Sequence, residues 1–289
     1  MKIAVIGANG YIGKHLVYYL EMKGCEVAKY DLFGEDCIKC NLSDRADVDK
    51  IDLNVDFVYM FAGKTGTYDG FDDYSTYLAS NDVALLNLLD SIRKSEYRPK
   101  VIFPSSRLVY KGVERALKED DEKESKTIYA VNKIACEGYL AAYANSFNIP
   151  YTIFRICVPF GNMFSTDYSF GTVGFMIKQA KVGEITLYGD GTMRRTLTSM
   201  EDLCFQIYEA AKRPESNNQI YNIGGNTYML KEVAEIVAAE YGASIKYIPY
   251  PERDLKIESG STFFDYDKIS KLTGYQSKSN VKELFVHTL

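Results

Sequence analysis

Short apolar runs alternate with longer segments of helical periodicity through the first half of the chain. Runs typical of buried strands occur at 2–6, 26–30, 57–61, 101–103 and 151–154. Apolar positions recur with a helical period at 11–23, 81–94 and 129–147. Such alternation is typical of a parallel sheet with helices on both faces, and right-handed crossovers make that sheet doubly wound. The pattern therefore predicts an α/β fold with a doubly wound parallel Rossmann sheet.

The alternation loosens in the second half of the chain. Residues 161–174 are polar and contain glycines, and 189–192 (Gly-Asp-Gly-Thr) is a turn signal. Residues 219–223 predict one more strand that returns to the sheet, and 231–241 a helix. We therefore expect a dinucleotide-binding domain at 1–160, completed by the strand at 219–223. The remainder, 161–289, is expected to be mainly a small substrate-binding lobe.

Composition narrows the class of protein. The 289 residues carry a net charge of -5, which argues against general nucleic-acid binding. The N-terminus lacks the basic start and long apolar run of a signal peptide, and no apolar stretch approaches the roughly 18 residues of a membrane span. We therefore expect a cytoplasmic protein that binds neither nucleic acid nor membrane. Phosphate-bearing small ligands stay possible, because they need only local hydrogen-bond donors.

Six cysteines and two histidines limit the metal and nucleophile chemistry. Cys37 and Cys40 form a lone C-x-x-C, whereas a zinc site needs a second pair or histidines. His15 and His287 are the only histidines, which leaves little room for a Ser-His-Asp hydrolase or a histidine-based metal enzyme. We expect thiols in a reducing compartment and no metal.

A glycine triplet directly follows the first predicted strand and opens the first predicted helix. Glycine permits a tight turn and a close approach of the backbone to a pyrophosphate, and the helix N-terminus supplies N–H groups and a partial positive charge. Between a strand and a helix, the triplet predicts a dinucleotide site. The predicted cofactor-binding residues of this loop are Gly7, Asn9, Gly10, Tyr11, Ile12 and Gly13.

Asp31 ends the second predicted strand, 18 positions after Gly13. A carboxylate there accepts hydrogen bonds from the adenosine ribose and repels a 2'-phosphate. No arginine follows it at 32–34. The sequence therefore predicts NAD rather than NADP.

Tyr129 and Lys133 lie one helical turn apart, which places both side chains on one face. An ammonium beside a phenol lowers the pKa of the phenol, so this pair is suited to proton transfer at a sugar or alcohol hydroxyl. The spacing alone is weak evidence in a chain with 24 tyrosines. Two other pairs share it, Tyr19 with Lys23 and Tyr208 with Lys212. Neither of these two pairs follows a segment like Ser-Ser-Arg-Leu-Val-Tyr at 105–110, which precedes Tyr129. We therefore expect Tyr19 and Tyr208 on ordinary helix surfaces.

Further segments match motifs of one enzyme family. Residues 105–110 match S-S-x-x-V-Y, 41–44 resemble D-L-T-D with asparagine in the first place, and 61–64 (Phe-Ala-Gly-Lys) are similar to a cofactor-lining segment. Residues 155–161 and 189–197 resemble R-x-x-N-V-Y-G-P and G-D-G-x-Q-x-R-D-F, the former without its asparagine. With the glycine triplet, these motifs resemble the extended short-chain dehydrogenase/reductases. They are most similar to the NAD-dependent epimerase/dehydratase family, which acts on nucleotide sugars.

The resemblance implies a set of site residues. Ser106, Tyr129 and Lys133 would be catalytic, with Tyr129 and Lys133 also touching the cofactor. Arg195 and, by a weaker alignment, Arg253 would grip the substrate diphosphate, as a guanidinium suits. Ser106 would also bind the substrate. The further cofactor-binding residues would be Asn41, Leu42, Phe61, Ala62, Gly63, Lys64 and Asn81. A homodimer is implied through the helical segments 81–94 and 129–147.

The implied reaction is epimerisation, most simply at C4 of the sugar, with bound NAD taking and returning the hydride. The family's 4,6-dehydratases carry Asp-Glu directly after the active-site threonine, where this chain has Arg107 and Leu108. Dehydration is therefore disfavoured. A 4-keto-sugar reductase using exchangeable NAD(P)H is the main alternative, and Asp31 argues mildly against it. A non-catalytic dinucleotide-binding regulator is a third possibility, disfavoured because Ser106, Tyr129 and Lys133 are all present.

Overall fold

The computed structural model describes residues 1–164 and 170–285. Its twelve strands in this part of the chain are β1 Lys2–Ile6, β2 Glu26–Asp31, β3 Ile38–Lys39, β4 Phe57–Met60, β5 Lys100–Ser106, β6 Tyr151–Ile156, β7 Val158–Phe160, β8 Glu184–Tyr188, β9 Arg194–Ser199, β10 Gln219–Asn222, β11 Asn226–Met229 and β12 Ser244–Ile248. The α-helices are α1 Tyr11–Met22, α2 Arg45–Val48, α3 Asp69–Asp72, α4 Tyr74–Tyr77, α5 Ala84–Lys94, α6 Ile128–Phe147, α7 Gly171–Ala180, α8 Met200–Ala211, α9 Leu230–Tyr241, α10 Glu252–Ile257 and α11 Asp267–Thr273. A π-helical segment spans Leu78–Val83, and 3-10 helices span Arg107–Val109, Pro214–Ser216 and Val281–Phe285.

Seven strands form a parallel sheet in the order β10-β6-β5-β4-β1-β2-β3. The strand order reverses between β1 and β4, which are paired in parallel from Ile3 opposite Phe57 to Ile6 opposite Met60. In doubly wound sheets, ligands bind in the crevice at the carboxyl ends of the strands where the order reverses. The predicted α/β Rossmann class is confirmed.

Helices α5 and α6 pack an apolar face against this sheet. In α5, Leu85, Leu88, Leu89 and Ile92 are fully buried, at the i, i+3, i+4, i+7 spacing of one helix face. They join Val101, Phe103 and other buried strand residues in one core cluster. Helix α6 begins after Thr127, whose hydroxyl accepts a hydrogen bond from the backbone N–H of Ala130 at 3.0 Å.

The chain divides into two compact units. The first comprises Met1–Val109, Glu124–Arg155 and Ile207–Tyr221, and the second Tyr110–Lys123, Ile156–Gln206 and Asn222–Leu289. The sequence prediction had placed 110–123 in the first domain, whereas its backbone bonds to 261–263 within the second unit, from Val113 N to Ser261 O and from Leu117 N to Phe263 O. The second unit contains a three-stranded sheet, β11-β9-β7, and a two-stranded sheet, β12-β8.

The predicted elements of the first half lie close to the observed ones. The prediction of a continuous helix at 81–94 is wrong in one respect, because a π-helical segment precedes α5 and includes Asn81. Residues 165–169, within the predicted polar segment 161–174, and His287 lie outside the described residues. No helix in the described ranges is both long enough and apolar enough to cross a membrane.

Candidate active site

The glycine loop joins β1 to α1 at the carboxyl edge of the sheet. Gly7 has φ +84°, and a Cβ there would lie 2.4 Å from the backbone nitrogen of Ala62. A Cβ on Gly13 would lie 1.9 Å from the Gly7 carbonyl oxygen. The fold itself therefore excludes side chains at both positions.

Gly10 differs from its two neighbours in the triplet. A Cβ there would lie 3.2 Å from the Gly7 carbonyl oxygen, a tight contact but not a severe clash. Gly10 is the N-cap of α1 and provides no side-chain cap for the first turn. Its lack of a side chain keeps the helix N-terminus open, where Tyr11 and Ile12 begin the helix and an anion is favoured.

Asp31 ends β2 beside this loop. Its carboxylate accepts hydrogen bonds from the backbone N–H of Asn9 at 2.9 Å and of Phe33 at 3.3 Å. The Asn9 side chain in turn donates to the Phe33 carbonyl. The Asp31 carboxylate is thus held in a fixed orientation, and its two oxygens can still accept bonds from ribose hydroxyls.

The segment after β4 is shaped by a buried asparagine. Asn81 accepts a hydrogen bond from the backbone N–H of Lys64 at 3.0 Å and donates to the carbonyl of Lys64 at 3.1 Å. A Cβ on Gly63 would lie 2.6 Å from the Asn81 side-chain oxygen. Asn81 therefore fixes the backbone of 63–64. The preceding Phe61 donates its backbone N–H to the Ile6 carbonyl at 2.8 Å.

Asn41 and Leu42 follow β3 at the same edge of the sheet. The Asn41 side chain accepts hydrogen bonds from the backbone N–H and hydroxyl of Ser43, at 3.2 and 2.8 Å. The Leu42 carbonyl accepts from the Asn87 side chain at 2.9 Å. Both residues thus have fixed backbones next to the end of β2.

Ser106, Tyr129 and Lys133 come together where β5 ends and α6 begins. The Ser106 hydroxyl is close enough to the Tyr129 phenol to lower the pKa of that phenol. The Lys133 ammonium donates to the Pro104 carbonyl at 2.7 Å and lies 5.6 Å from the centre of the Tyr129 ring. All three side chains are buried. The structure thus assembles the three residues that the sequence assigned to catalysis.

Burial controls the proton affinities of this group. It raises the pKa of the Tyr129 phenol to about 12, although the nearby Ser106 hydroxyl and the Arg107 guanidinium lower that pKa in part. Burial also lowers the pKa of the Lys133 ammonium to about 8. The expectation of a lowered tyrosine pKa is therefore wrong for the chain by itself, because desolvation outweighs the neighbouring charges.

The other two tyrosine–lysine pairs have different surroundings. Tyr19 and Tyr208 are buried and pack edge to face, with ring centres 5.9 Å apart. Lys23 and Lys212 lie over these rings, 5.1 and 4.2 Å from their centres. The expectation that these tyrosines occupy helix surfaces is wrong, because their rings fill a contact between α1 and α8.

The predicted diphosphate-binding arginines lie in the second unit. Arg195 is 3% exposed, forms an ion pair with Glu258 at 3.0 Å and donates to the Gly260 carbonyl at 2.7 Å. A diphosphate at Arg195 would have to replace or share the Glu258 carboxylate. Arg253 is largely exposed on α10, 3.6 Å from Asp254.

The cysteines are free thiols. Cys37 is partly exposed and Cys40 is buried, and the Cys40 thiol donates to the Asp47 carbonyl at 3.3 Å. Within the described ranges, no group of three or more His, Cys, Asp or Glu side chains is placed to hold a metal ion.

Comparison with known proteins identifies the family. The model of the NAD dependent epimerase/dehydratase family matches residues 3–224. The chain belongs to this family. An uncharacterized UDP-glucose epimerase of Bacillus subtilis, YtcB, is 25% identical, with 98% of this chain and 95% of that protein covered. CDP-paratose 2-epimerase of Salmonella typhi is 21% identical, with 98% and 96% covered.

A solved structure supports the same fold. The UDP-glucose 4-epimerase of Thermus thermophilus in complex with NAD matches with a TM-score of 0.86 at 23% identity, over 100% of both chains. NAD is the cofactor of this epimerase/dehydratase family. The glycine loop fits that cofactor, because Gly10 leaves the N-terminus of α1 open and Asp31 lies beside it.

Three residues of the first unit, two of them buried, were not predicted to belong to the site. Ser105 precedes Ser106, Glu137 lies one turn after Lys133 on α6, and Arg155 is on β6. A signal for Glu137 was present in the sequence, because it continues the helix face of Tyr129 and Lys133 at i+4 spacing. The bonds among these residues depend on tertiary packing and have no sequence pattern of their own.

Proposed function

We propose that this protein is an NAD-dependent nucleotide-sugar epimerase that oxidises the C4 hydroxyl and returns the hydride to the opposite face. Tyr129 is the acid and base in this proposal. The observation that carries it is the burial of Tyr129 with the Ser106 hydroxyl among the groups that set the pKa of its phenol and with the Lys133 ammonium 5.6 Å from the centre of its ring. Such a group can move one proton at a substrate oxygen that rests on Ser106.

Each residue has a defined part in the proposed reaction. Tyr129 takes the proton of the sugar hydroxyl during oxidation and gives it back to the same oxygen during reduction. Ser106 hydrogen-bonds that oxygen and keeps it at the phenol. NAD, when bound, supplies the hydride acceptor and a positive charge that favours the Tyr129 phenolate. The hydride leaves one face of C4 and returns to the other after the keto sugar turns, so the sugar undergoes no net oxidation.

The Lys133 ammonium has hydrogen-bond donors left for binding the cofactor. Among the described residues its ammonium donates to one acceptor, the Pro104 carbonyl, although an ammonium has three donors. We assign the remaining donors to the ribose hydroxyls of the cofactor.

The residues after Ser106 argue against dehydration. Arg107 and Leu108 lie in the 3-10 helix that follows β5, and the Leu108 backbone N–H donates to the Ser106 hydroxyl at 3.2 Å. Elimination of water across C5 and C6 needs an acid at these positions, and neither residue can supply a proton for it. This supports a reaction that ends with the hydride returned to the carbon from which it came.

The experiment is a panel of UDP-, GDP-, CDP- and dTDP-sugars, incubated with purified protein without added reductant and scored for epimers by NMR. We expect one epimer pair to interconvert and near-equimolar NAD to be extracted from the protein. Tyr129→Phe should lower turnover by at least about 1,000-fold and leave NAD content unchanged. Tyr19→Phe, from a matching tyrosine–lysine pair, is the control and should retain activity.

Three results would refute the proposal. Turnover that survives Tyr129→Phe would remove the tyrosine from the chemistry. Protein that is purified without cofactor and oxidises added NAD(P)H with a keto sugar would be the alternative 4-keto-sugar reductase. A protein that binds NAD but turns over no sugar in either assay would be a regulator.

The remaining assignments are proposals of the same kind. We infer that Arg195 and Arg253 bind the substrate diphosphate and that 161–289 forms most of the substrate-binding lobe. A homodimer and a cytoplasmic location also stay predictions. Size-exclusion chromatography with light scattering measures the oligomeric state directly.

A further inference from the structure

A hydrogen-bonded ion pair lies buried behind Tyr129 and Lys133. The Arg155 guanidinium donates to the Glu137 carboxylate through two bonds, of 2.9 Å from Nε and 2.6 Å from Nη2. The Ser105 hydroxyl donates to the same carboxylate at 2.6 Å. Arg155 is 1% and Ser105 3% exposed, and the Glu137 side chain is 10% exposed, so this three-residue cluster is largely shielded from water.

Each member of the cluster is tied to a residue of the proposed active site. Ser105 is the neighbour of Ser106 on β5, and Glu137 lies one turn beyond Lys133 on α6. Arg155 comes from β6, the strand next to β5 in the sheet. The Glu137 carboxylate therefore links the catalytic helix to two adjacent strands.

Two neighbouring hydrogen bonds join strand β5 to helix α6. Lys133 donates to the Pro104 carbonyl at 2.7 Å, and Ser105 donates to Glu137 at 2.6 Å. Successive residues of β5 are thus bonded to helix residues one turn apart. Two such bonds oppose both sliding and rotation of the helix on the strand, which apolar packing alone resists less specifically.

Stability alone gives a weak reason for this arrangement. Burying an ion pair removes both charges from water, and well-packed apolar residues often stabilise a fold as well or better. What the bonded cluster adds is directional geometry at the point where Ser106 must meet Tyr129. An error of about 1 Å in such a position can lower a rate about 100-fold.

We propose that Ser105, Glu137 and Arg155 are positioning residues, which form a clamp that holds Tyr129 and Lys133 in register with Ser106. This inference rests on the proposed function, because it assigns the clamp to proton transfer at Tyr129. The clamp does not touch the substrate. Its effect is on how often the phenol, the serine hydroxyl and the sugar oxygen are aligned.

Ser105→Ala is the sharpest test, because it removes one of the two bonds between β5 and α6 and leaves the Arg155–Glu137 pair intact. We expect kcat to fall about tenfold, with KM and NAD affinity within about twofold of the wild-type values. Ser105→Thr keeps a hydroxyl and should restore most of the rate. Ser216→Ala is the matched control, because it removes an equally buried hydroxyl from the amino end of the sheet. It should lower stability without changing kcat.

The double variant Glu137→Met with Arg155→Met tests the ion pair without leaving one buried charge unpaired. We expect a folded protein whose kcat is at least as low as that of Ser105→Ala. If the double variant does not fold, the comparison of Ser105→Ala with Ser105→Thr still tests whether the clamp positions Tyr129. Unchanged kcat in folded Ser105→Ala would overturn the clamp.

A readout without turnover separates this inference from the proposed function. The ammonium pKa of Lys133, followed by NMR and assigned with Lys133→Met, should rise toward the ordinary lysine value in Ser105→Ala. The reason is that a loosened helix admits water to the ammonium. Where no sugar is turned over, this shift decides alone, since its presence would support the clamp and its absence would refute it. Retained turnover in Tyr129→Phe would instead refute the proposed function.

Discussion

A buried lysine lies near each end of strand β5, Lys100 on the strand itself and Lys133 on helix α6, and the two ammonium groups form different hydrogen bonds. Lys100, at the amino end, donates to the carbonyls of Ala211 and Arg213 and to the Ser216 hydroxyl, at 2.9, 3.3 and 2.6 Å. Lys133, near the carboxyl end, donates to Pro104 alone among the described residues. Burial lowers the pKa of both ammonium groups to about 8.

This comparison shows that a perturbed pKa by itself does not mark a site. Lys100 uses its three donors to close the C-terminus of α8, where carbonyls lack helical partners and a cation is favoured. Lys133 leaves donors for a ligand, beside a tyrosine and a serine. The difference in bonding, with similar burial, separates a structural lysine from the lysine that we propose to bind the cofactor.

Lys133→Met should produce the largest effect. The variant loses the donors assigned to the cofactor ribose and the charge beside Tyr129, so turnover should fall at least about 100-fold. The free energy of unfolding should stay within about 1 kcal/mol, because loss of one hydrogen bond is offset by relief of a buried charge. Turnover of the best sugar and urea unfolding measure the two quantities. Activity within tenfold of wild type would remove the distinction between the two lysines.

Lys100→Met should give the opposite result. It leaves the Ala211 and Arg213 carbonyls and the Ser216 hydroxyl without their donor, so the free energy of unfolding should fall by about 2 kcal/mol at pH 9. The turnover of the folded fraction should stay within about twofold of wild type, because Lys100 begins β5 and the catalytic group is at its other end. A large loss of kcat with unchanged stability would show that the amino end of β5 also serves catalysis.

The sequence was informative where short-range patterns decide the structure. The strand at 2–6 matches β1, and the helix at 129–147 matches α6 to within one residue. The family motifs also placed Ser106, Tyr129 and Lys133 in one site, and the structure brings them together. These features follow from apolar periodicity and from fixed spacings in the chain.

Contacts between residues far apart in the chain determine the features that the sequence did not predict. The π-helical segment at Leu78–Val83 accompanies the bonds that Asn81 makes to Lys64, 17 residues away. The raised pKa of Tyr129 depends on burial, which no local pattern reports. Lys100 has no motif at all, because its acceptors are 111 to 116 residues away.

The smallest expected effect is a pH dependence that isolates Lys100. Burial places its pKa at about 8 in the folded chain, below the ordinary lysine value of 10.5. Between these values the unfolded chain holds a proton that the folded chain has lost, so wild-type stability from this group rises with pH. The slope approaches about 1.4 kcal/mol per pH unit above pH 8.

Lys100→Met removes this contribution and leaves that of Lys133 in place. The stability difference between wild type and Lys100→Met should therefore grow by about 1 kcal/mol from pH 7 to pH 9. Buried tyrosine and cysteine groups act in the opposite direction, since their raised pKa values, such as about 12 for Cys136, lower stability at high pH. They are common to both proteins and cancel in the difference. Urea unfolding of wild type and Lys100→Met at pH 7, 8 and 9 measures this difference in the free energy of unfolding. A constant difference would mean that Lys100 keeps an ordinary pKa in the fold, and that Lys133 on α6 is the only one of these two lysines with a perturbed pKa.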